Sequence, residues 1–191
     1  MKKNILQQTA SQTVGPFFAF GLTPEQYGYD FPNVIGRNLR KDGVEGIPIS
    51  LVGQVLDGDN KPINDAIIEL WQADPDGNYA TSTKNELFGF GRSGTGWNDQ
   101  LTFSFDTYKP GSKSEGDLPH INITVFARGI QNHLFTRVYF PEEKEFFYKD
   151  EVLSQLDKSL HHRLMAKMVA TGVYRFDISL QGKNETVFLD I

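Results

Sequence analysis

The stretch HINITVF, residues 120–126, decides the fold class. Apolar and polar side chains alternate along it, as they do in a β-strand with one face in a core. The apolar face belongs in that core. The other face carries His120, Asn122 and Thr124, so it looks onto solvent, an interface or a cleft.

The same strand rhythm recurs from residue 49 onward. LTFSFDT (101–107) alternates cleanly, and ISLVGQVLD, AIIELWQA, HLFTRVYF, VYRFDISL and TVFLDI are rich in β-branched and aromatic residues. Turn sequences such as GDNKP and DPDGN separate these runs, and ATG before VYRF predicts a hairpin. Helical spacing of apolar residues is confined to KDEVLSQLDKSL (149–160). The sequence predicts an all-β protein, with a sandwich favoured over a barrel and one short helical segment.

Residues 1–46 lack this rhythm. They contain VGPFF, LTPEQYGYDFP and DGVEGIP, which are rich in Gly, Pro and aromatic residues and together too long for an ordinary loop. Because free arms are seldom so aromatic, this part reads as an N-terminal arm that packs against another surface. We therefore divide the chain into the arm, 1–46, and a β-sandwich domain, 47–191.

Composition narrows the classes of protein. At 191 residues, with 39% hydrophobic and 23% charged residues, the chain is neither disordered nor a membrane protein by composition. No apolar run approaches the roughly 18–20 residues that span a bilayer, and MKKNILQQTASQTVG lacks the apolar core of a signal peptide. The absence of cysteine excludes disulfides and thiolate metal sites and fits a reducing cytoplasm. A net charge of −5 argues against nucleic acid as a partner.

The candidate site residues have competing interpretations. A strand with His-x-His on its polar face is a strong metal signal, but His120 is followed by Asn122, and a neutral amide is a poor ligand for a transition metal. A structural role for His120 is therefore favoured. Tyr79, after the DPDGN turn, is either a phenolate ligand or, more commonly, a packing residue. Arg128 and Arg137 either bind a carboxylate or form ordinary ion pairs.

Taken together, a set of motifs resembles the intradiol ring-cleaving dioxygenases. They are SQTVGPFF, GQVLDGDNKPINDAIIELWQADPDGNY, FGRSGTG, TYKPG, PHINITVFARGIQNHLFTRVYF and YRFDISLQGKNETVFLDI. The resemblance covers the chain from about residue 8 to its C-terminus. FARGI and RFDISLQGKNETVFLD are more narrowly similar to the non-metal α chain of family members that are built from two kinds of chain.

The resemblance implies a β-sandwich and an assembly of α and β chains in equal number. In that assembly the β chain carries a non-haem Fe(III) ion held by two tyrosines and two histidines. The implied reaction is the O₂-dependent cleavage of 3,4-dihydroxybenzoate, between its two hydroxylated carbons, to 3-carboxy-cis,cis-muconate. This chain alone is expected to be inactive.

Aligned residue by residue, the four ligand positions of the family fall on Tyr79, Lys113, His120 and Asn122. The second tyrosine is replaced at or next to Lys113, and the second histidine is replaced by Asn122. An ammonium group repels a ferric ion that a phenolate would partly neutralise. The resemblance therefore implies that these positions are vestigial and that this chain binds no metal.

The resemblance also gives the arm a role at the neighbouring β chain's iron. TVGP supplies Thr13, Gly15 and Pro16 for the wall of the substrate pocket, and Arg128 matches an arginine near the pocket mouth. Two alternatives stay open. The chain is otherwise a stand-alone β-sandwich binding or scaffold protein that has lost the chemistry, which a neighbouring reading frame with intact His-Ile-His would argue against. A self-sufficient metalloenzyme with other ligands is the third possibility.

Overall fold

The computed structural model describes residues 12–80 and 87–190. These residues form nine strands and one α-helix, together with short 3₁₀ turns. The helix is α1 (Pro16–Leu22). The strands are β1 (Pro48–Leu56), β2 (Ile67–Gln72), β3 (Phe90–Gly94), β4 (Thr102–Tyr108), β5 (His120–Phe126), β6 (Leu134–Tyr139), β7 (Lys167–Ala170), β8 (Val173–Arg175) and β9 (Ile178–Ser179).

The strands form two sheets, and the prediction of an all-β sandwich is confirmed. One sheet has the order β4-β1-β8-β7, with β9 also paired to β1, and the other has the order β3-β2-β5-β6. In the second sheet β5 lies between β2 and β6 and is antiparallel to both. Its register sets Asn122 opposite Trp71 on one side and opposite Arg137 on the other. This register brings the polar face of β5 against side chains from both neighbouring strands.

The core lies between the two sheets and is built from the alternating apolar faces that the sequence indicates. The inner faces of both sheets contribute fully buried side chains to this core. They include Leu51, Phe103, Phe105, Ile68, Leu70 and Ile121. Burying a large apolar side chain contributes roughly 1.5–3 kcal/mol each, so this double layer supplies most of the stabilisation of the fold.

The helix predicted over 149–160 is wrong in type. The segment after β6 instead forms three 3₁₀ turns, Pro141–Lys149, Leu153–Gln155 and Lys158–Arg163. Between the first two, the carboxylate of Asp150 accepts the amide hydrogens of Val152 and Leu153, which competes with helical bonding. The segment therefore bends, and Leu153 packs with Phe147 in a second small apolar cluster.

Two smaller predictions near the C-terminus have different outcomes. The ATG hairpin is confirmed, since β7 and β8 are antiparallel and Gly172 takes the positive φ of +70° that the turn needs. The strand predicted for TVFLDI is wrong, since no continuous strand follows β9 in the described residues. This segment contributes one isolated bridge, between Leu189 and Phe135.

The described part of the arm lies against its own chain. Pro16 begins α1, a helix that the sequence did not predict, and a 3₁₀ turn over Pro24–Tyr27 follows it. Further along, Leu39 is buried in the main core, and its amide donates to the carbonyl of Asp106 at 2.8 Å. Residues 1–11 lie outside the described residues, and packing of the arm on a partner chain stays a prediction. No helix in the described ranges is long and apolar enough to cross a membrane.

Candidate functional site

The turn DPDGN (74–78) positions Tyr79. The carboxylate of Asp74 accepts hydrogen bonds from two backbone amides of this turn. Gly77 has φ +87°, and a Cβ there would lie 2.0 Å from the carbonyl oxygen of Ser112. Only glycine meets both conditions without strain. The turn is thus locked against the loop after β4, and Tyr79 is directed back towards β5.

A chain of hydrogen bonds joins three of the four vestigial ligand positions. Nε of Arg137 donates to Oδ1 of Asn122 at 3.1 Å. Nδ2 of Asn122 donates to the phenolic oxygen of Tyr79 at 3.0 Å. That oxygen lies 3.3 Å from Nε2 of His120, and Nδ1 of His120 lies 2.8 Å from the carbonyl oxygen of Leu118. We call this series, from Arg137 to Leu118, the relay.

The relay fixes the protonation of its members. A carbonyl oxygen only accepts, so Nδ1 of His120 carries the proton and Nε2 of the neutral ring accepts from the Tyr79 hydroxyl. Burial, followed by the positive charge of Arg137, lowers the pKa of His120. Burial raises the pKa of Tyr79. Both shifts favour the uncharged forms that the relay requires.

Two carboxylates, those of Asp117 and Asp150, lie next to members of the relay. Oδ1 of Asp117 lies 3.5 Å from Nδ1 of His120 and 3.9 Å from Nη1 of Arg137. The fully buried Asp150 accepts from the amide of Leu118 at 3.1 Å and from the hydroxyl of Tyr139 at 2.9 Å. Asp150 therefore holds Leu118, whose carbonyl oxygen accepts the hydrogen bond from Nδ1–H of His120.

Lys113 is the position that does not join the group. It is exposed on the loop between β4 and β5, and in the described residues no hydrogen bond or ion pair links it to Tyr79, His120 or Asn122. Its charge therefore lies outside the hydrogen-bonded group rather than within it. The structure thus brings together Tyr79, His120 and Asn122 and leaves Lys113 apart.

This donor set does not fit the ferric ion that the family implies. The imidazole nitrogen that faces the centre accepts a hydrogen bond from the Tyr79 hydroxyl, and the amide oxygen of Asn122 accepts a hydrogen bond from the guanidinium of Arg137. Across residues 12–80 and 87–190, no group of three or more His, Cys, Asp or Glu side chains is placed to hold a metal ion.

The predicted pocket-wall residues lie at the other end of β5. The hydroxyl oxygen of Thr13 accepts a hydrogen bond from the amide of Gly129 at 2.9 Å. Gly15 caps α1, and Pro16 is its first residue. Arg128, just beyond β5, forms an ion pair with Asp65. Since β5 has seven residues, its two ends are about 20 Å apart, so the wall residues and the relay are separate features of this chain.

Sequence reasoning missed three carboxylates and only partly interpreted Arg137. Asp65, Asp117 and Asp150 lie in different loops, and only the fold brings each to its basic or hydroxyl partner. Asp117 carried a weak signal, because it precedes His120 by three residues in DLPH. Arg137 was recognised as a candidate for an ion pair or a carboxylate. It forms an ion pair with Asp117 at 3.9 Å and also donates to the amide oxygen of Asn122, a partner that the sequence does not indicate.

Comparisons with known proteins show the family to which the chain is similar. The family model described as "Dioxygenase" matches residues 35–117. The chain is 43% identical to the protocatechuate 3,4-dioxygenase alpha chain of Burkholderia cepacia, over 97% of this chain and 98% of that one. It is 38% identical to the alpha chain of Pseudomonas putida over the whole of both chains. The Burkholderia cepacia beta chain is 27% identical, over 84% of this chain and 77% of that one.

Among solved structures, the fold is similar to the dioxygenase domain of a dioxygenase–carbohydrate-binding protein fusion from Streptomyces sp. SirexAA-E. The TM-score is 0.62 at 24% identity, over 92% of this chain and 99% of that one. The chain belongs to the intradiol dioxygenase family. Within that family, the relatives that it matches over nearly its full length are protocatechuate 3,4-dioxygenase alpha chains.

Proposed function

We propose that this chain is the α subunit of a protocatechuate 3,4-dioxygenase and works only together with an iron-bearing β chain. The complex would cleave 3,4-dihydroxybenzoate with O₂ to 3-carboxy-cis,cis-muconate. Fe(III), held by the β chain, supplies the redox chemistry. The α chain contributes the pocket wall, the exclusion of water and assembly contacts.

The observation that carries this proposal is the relay. The family resemblance implies that the positions of Tyr79, Asn122 and His120 hold a metal in catalytic relatives, yet here the Tyr79 hydroxyl is hydrogen-bonded to both other side chains. A chain that needs iron chemistry and has such a centre requires a partner that supplies the metal. The likeness to both an alpha chain and, more distantly, a beta chain supports that division of labour.

The arm supports the proposal on independent grounds. Thr13 is tied to Gly129, at the end of β5 that is remote from His120. An arm held there lies about 20 Å from the vestigial centre of its own chain and is free to line a neighbour's pocket. Phe17, on α1, leaves 82% of its surface exposed. An aromatic side chain so exposed is suited to anchoring in an interface.

Expression of this chain alone and with a candidate β chain tests the proposal. The chain alone should be colourless and free of iron, and the co-expressed complex should be red-brown and should consume O₂ with 3,4-dihydroxybenzoate. Stoichiometric iron and a tyrosinate charge-transfer band from this chain alone would refute it. A chain that never associates with any β chain would favour the scaffold alternative.

Deletion of the arm separates its role from that of the metal centre. A complex whose α chain lacks residues 1–22 should keep the full iron content of the β chain and lose most of its turnover. The matched control is the substitution Tyr29→Ser, which removes one exposed aromatic side chain from the same arm beyond the deleted part. Unchanged turnover after the deletion would exclude the arm from the pocket.

A further inference from the structure

Among the described residues, the largely buried carboxylate of Asp65 has one charged partner, Arg128, whose side chain is mostly exposed. The Asp65 side chain is 13% exposed and forms an ion pair with Nε of Arg128, whose side chain is 57% exposed. The second oxygen of the carboxylate, Oδ1, is buried with no hydrogen-bond partner among the described residues. Because a buried charge is costly unless it is paired, the pairing holds Arg128 firmly to Asp65.

The same place in the fold holds the arm. The amide that donates to Thr13 belongs to Gly129, the residue directly after Arg128. Gly129 takes φ +88°, so the chain turns sharply at this point. Arg128, the predicted cation of the pocket mouth, is thus held by Asp65. Gly129, the next residue, holds the arm with the predicted pocket wall through its bond to Thr13.

The residue after Asp65 is fixed by a hydrogen bond, and a tyrosine from the arm lies in the electrostatic environment of the ion pair. Asp65 directly precedes Ala66, and the Ala66 amide donates to the hydroxyl oxygen of Thr95 at 3.2 Å. The hydroxyl of Tyr27, from the arm, is also buried beside this pair. Burial raises its pKa, with Asp65 adding to the rise and Arg128 opposing it. Tyr27 is therefore uncharged, and Arg128 is the cation that remains at the surface.

We propose that Asp65 is a positioning residue for substrate binding: it holds the guanidinium of Arg128 in the orientation in which that group receives the anionic substrate of the complex. This inference rests on the proposed function. An arginine side chain that is already ordered loses less conformational freedom when a carboxylate binds. The guanidinium also keeps exposed N–H groups that suit a carboxylate. Asp65 acts through Arg128 and does not touch the substrate itself.

The test uses the assembled αβ complex and steady-state kinetics with 3,4-dihydroxybenzoate. Asp65→Ala should raise KM about fivefold, the factor expected when one long side chain must be ordered on binding, and should leave kcat nearly unchanged. Asp65→Asn keeps an acceptor for Nε of Arg128 and should raise KM much less. A purely electrostatic role predicts the opposite sign, because both variants remove a negative charge near an anion and would lower KM.

A double-mutant cycle shows whether Asp65 acts through Arg128. In the Arg128→Ala background, Asp65→Ala should have no further effect on KM. An equal rise of KM in both backgrounds would overturn the inference. Asp59→Ala is the matched control, because it removes the same charge from the same β1–β2 connection at a side chain that is 77% exposed. The iron content and the thermal midpoint of each complex are measured, and kinetics are compared only among variants in which both match the wild type.

The outcomes separate this inference from the proposed function. If Arg128→Ala and the arm deletion both alter the kinetics and Asp65→Ala does not, Asp65 has no positioning role and the subunit assignment stands. If neither Arg128→Ala nor the arm deletion alters KM or kcat, the proposed role of this chain in the pocket fails, and the role of Asp65 fails with it.

Discussion

The hydroxyl of Tyr79 donates a hydrogen bond to Nε2 of His120 over 3.3 Å. The family resemblance assigns both atoms to a single ferric ion in catalytic chains. Here each atom satisfies the other, and Asn122 closes the arrangement from the far side. The centre has thus become a neutral hydrogen-bonded group whose contribution is to stability, and that contribution can be measured.

The stability of the protein should depend on pH through His120. Its pKa lies below the usual value near 6.5 because of burial and the charge of Arg137, so the unfolded chain takes up the proton more readily than the folded chain. The free energy of unfolding should therefore be highest above pH 6.5 and should decrease as the pH falls below it. Thermal midpoints measured between pH 5 and pH 8 test this.

His120→Gln removes the titrating group, and the decrease of stability between pH 6.5 and pH 5 should become shallower. The same substitution at the exposed His162 serves as the control and should leave the wild-type slope in place. If the His120→Gln profile is parallel to that of the wild type, His120 binds its proton equally well in the folded and the unfolded chain, and the expected pH dependence is wrong.

Asn122→Leu should destabilise the protein by about 2–4 kcal/mol. The substitution keeps the approximate size of the side chain but removes the acceptor for Nε of Arg137 and the donor to the Tyr79 oxygen, so each of these two largely buried groups loses one hydrogen bond. Denaturant unfolding followed by circular dichroism measures the loss. Thr124→Val, two residues along the same face of β5, is the control and should cost much less. Equal losses would mean that the relay contributes no more than general packing.

Asp150→Ala should be among the most destabilising single substitutions, at about 3–5 kcal/mol. The fully buried carboxylate accepts four hydrogen bonds, from the amides of Leu118, Val152 and Leu153 and from the hydroxyl of Tyr139. Its removal leaves all four donors without their acceptor. Protease sensitivity should rise within 141–163, the segment that Asp150 ties to β6 and to the loop before β5.

The exposed Asp157 provides the comparison for Asp150. It accepts one hydrogen bond, from the amide of Ser159, and Asp157→Ala should give a smaller loss of stability. If the two substitutions lower the thermal midpoint equally, burial and the number of bonds do not decide the effect, and our account of Asp150 is incorrect.

Thr13→Val should lower kcat/KM of the αβ complex several-fold while the iron content stays constant. Valine retains the shape of threonine but cannot accept the hydrogen bond from Gly129, worth roughly 1 kcal/mol, that holds the arm at this end of β5. Thr13→Ser retains the hydroxyl oxygen and should behave like the wild type. Equal activity of the valine and serine variants would show that this bond does not position the arm.

The strands of the sandwich were predictable because their signal is local. Period-two alternation in 101–107 and 120–126 reports directly which side chains enter the core. The prediction of a helix over 149–160 failed because it also rested on a local signal alone. The apolar spacing of that segment is helical, but the carboxylate of Asp150 diverts two amides from helical bonding, and spacing alone does not record that competition.

The candidate site was predictable only in part. Asn122 and Lys113 are visible in the sequence at the positions where the family resemblance implies a histidine and a tyrosine, and the loss of metal binding that this implies stays a prediction. The relay is not visible, because it joins Tyr79, Asn122 and Arg137 from three different elements. The same holds for Asp65 and Arg128, which lie 63 positions apart and meet only after the second sheet forms.

The length of β5 has a consequence for how such a chain diverges. His120 stands at one end of the strand and the arm contact at Gly129 lies beyond the other, about 20 Å away, with a rigid antiparallel ladder between them. Substitutions at one end leave the other undisturbed. The side chains around His120 and the contact at Gly129 can therefore vary independently of each other, because neither end of the strand depends on the other for its local geometry.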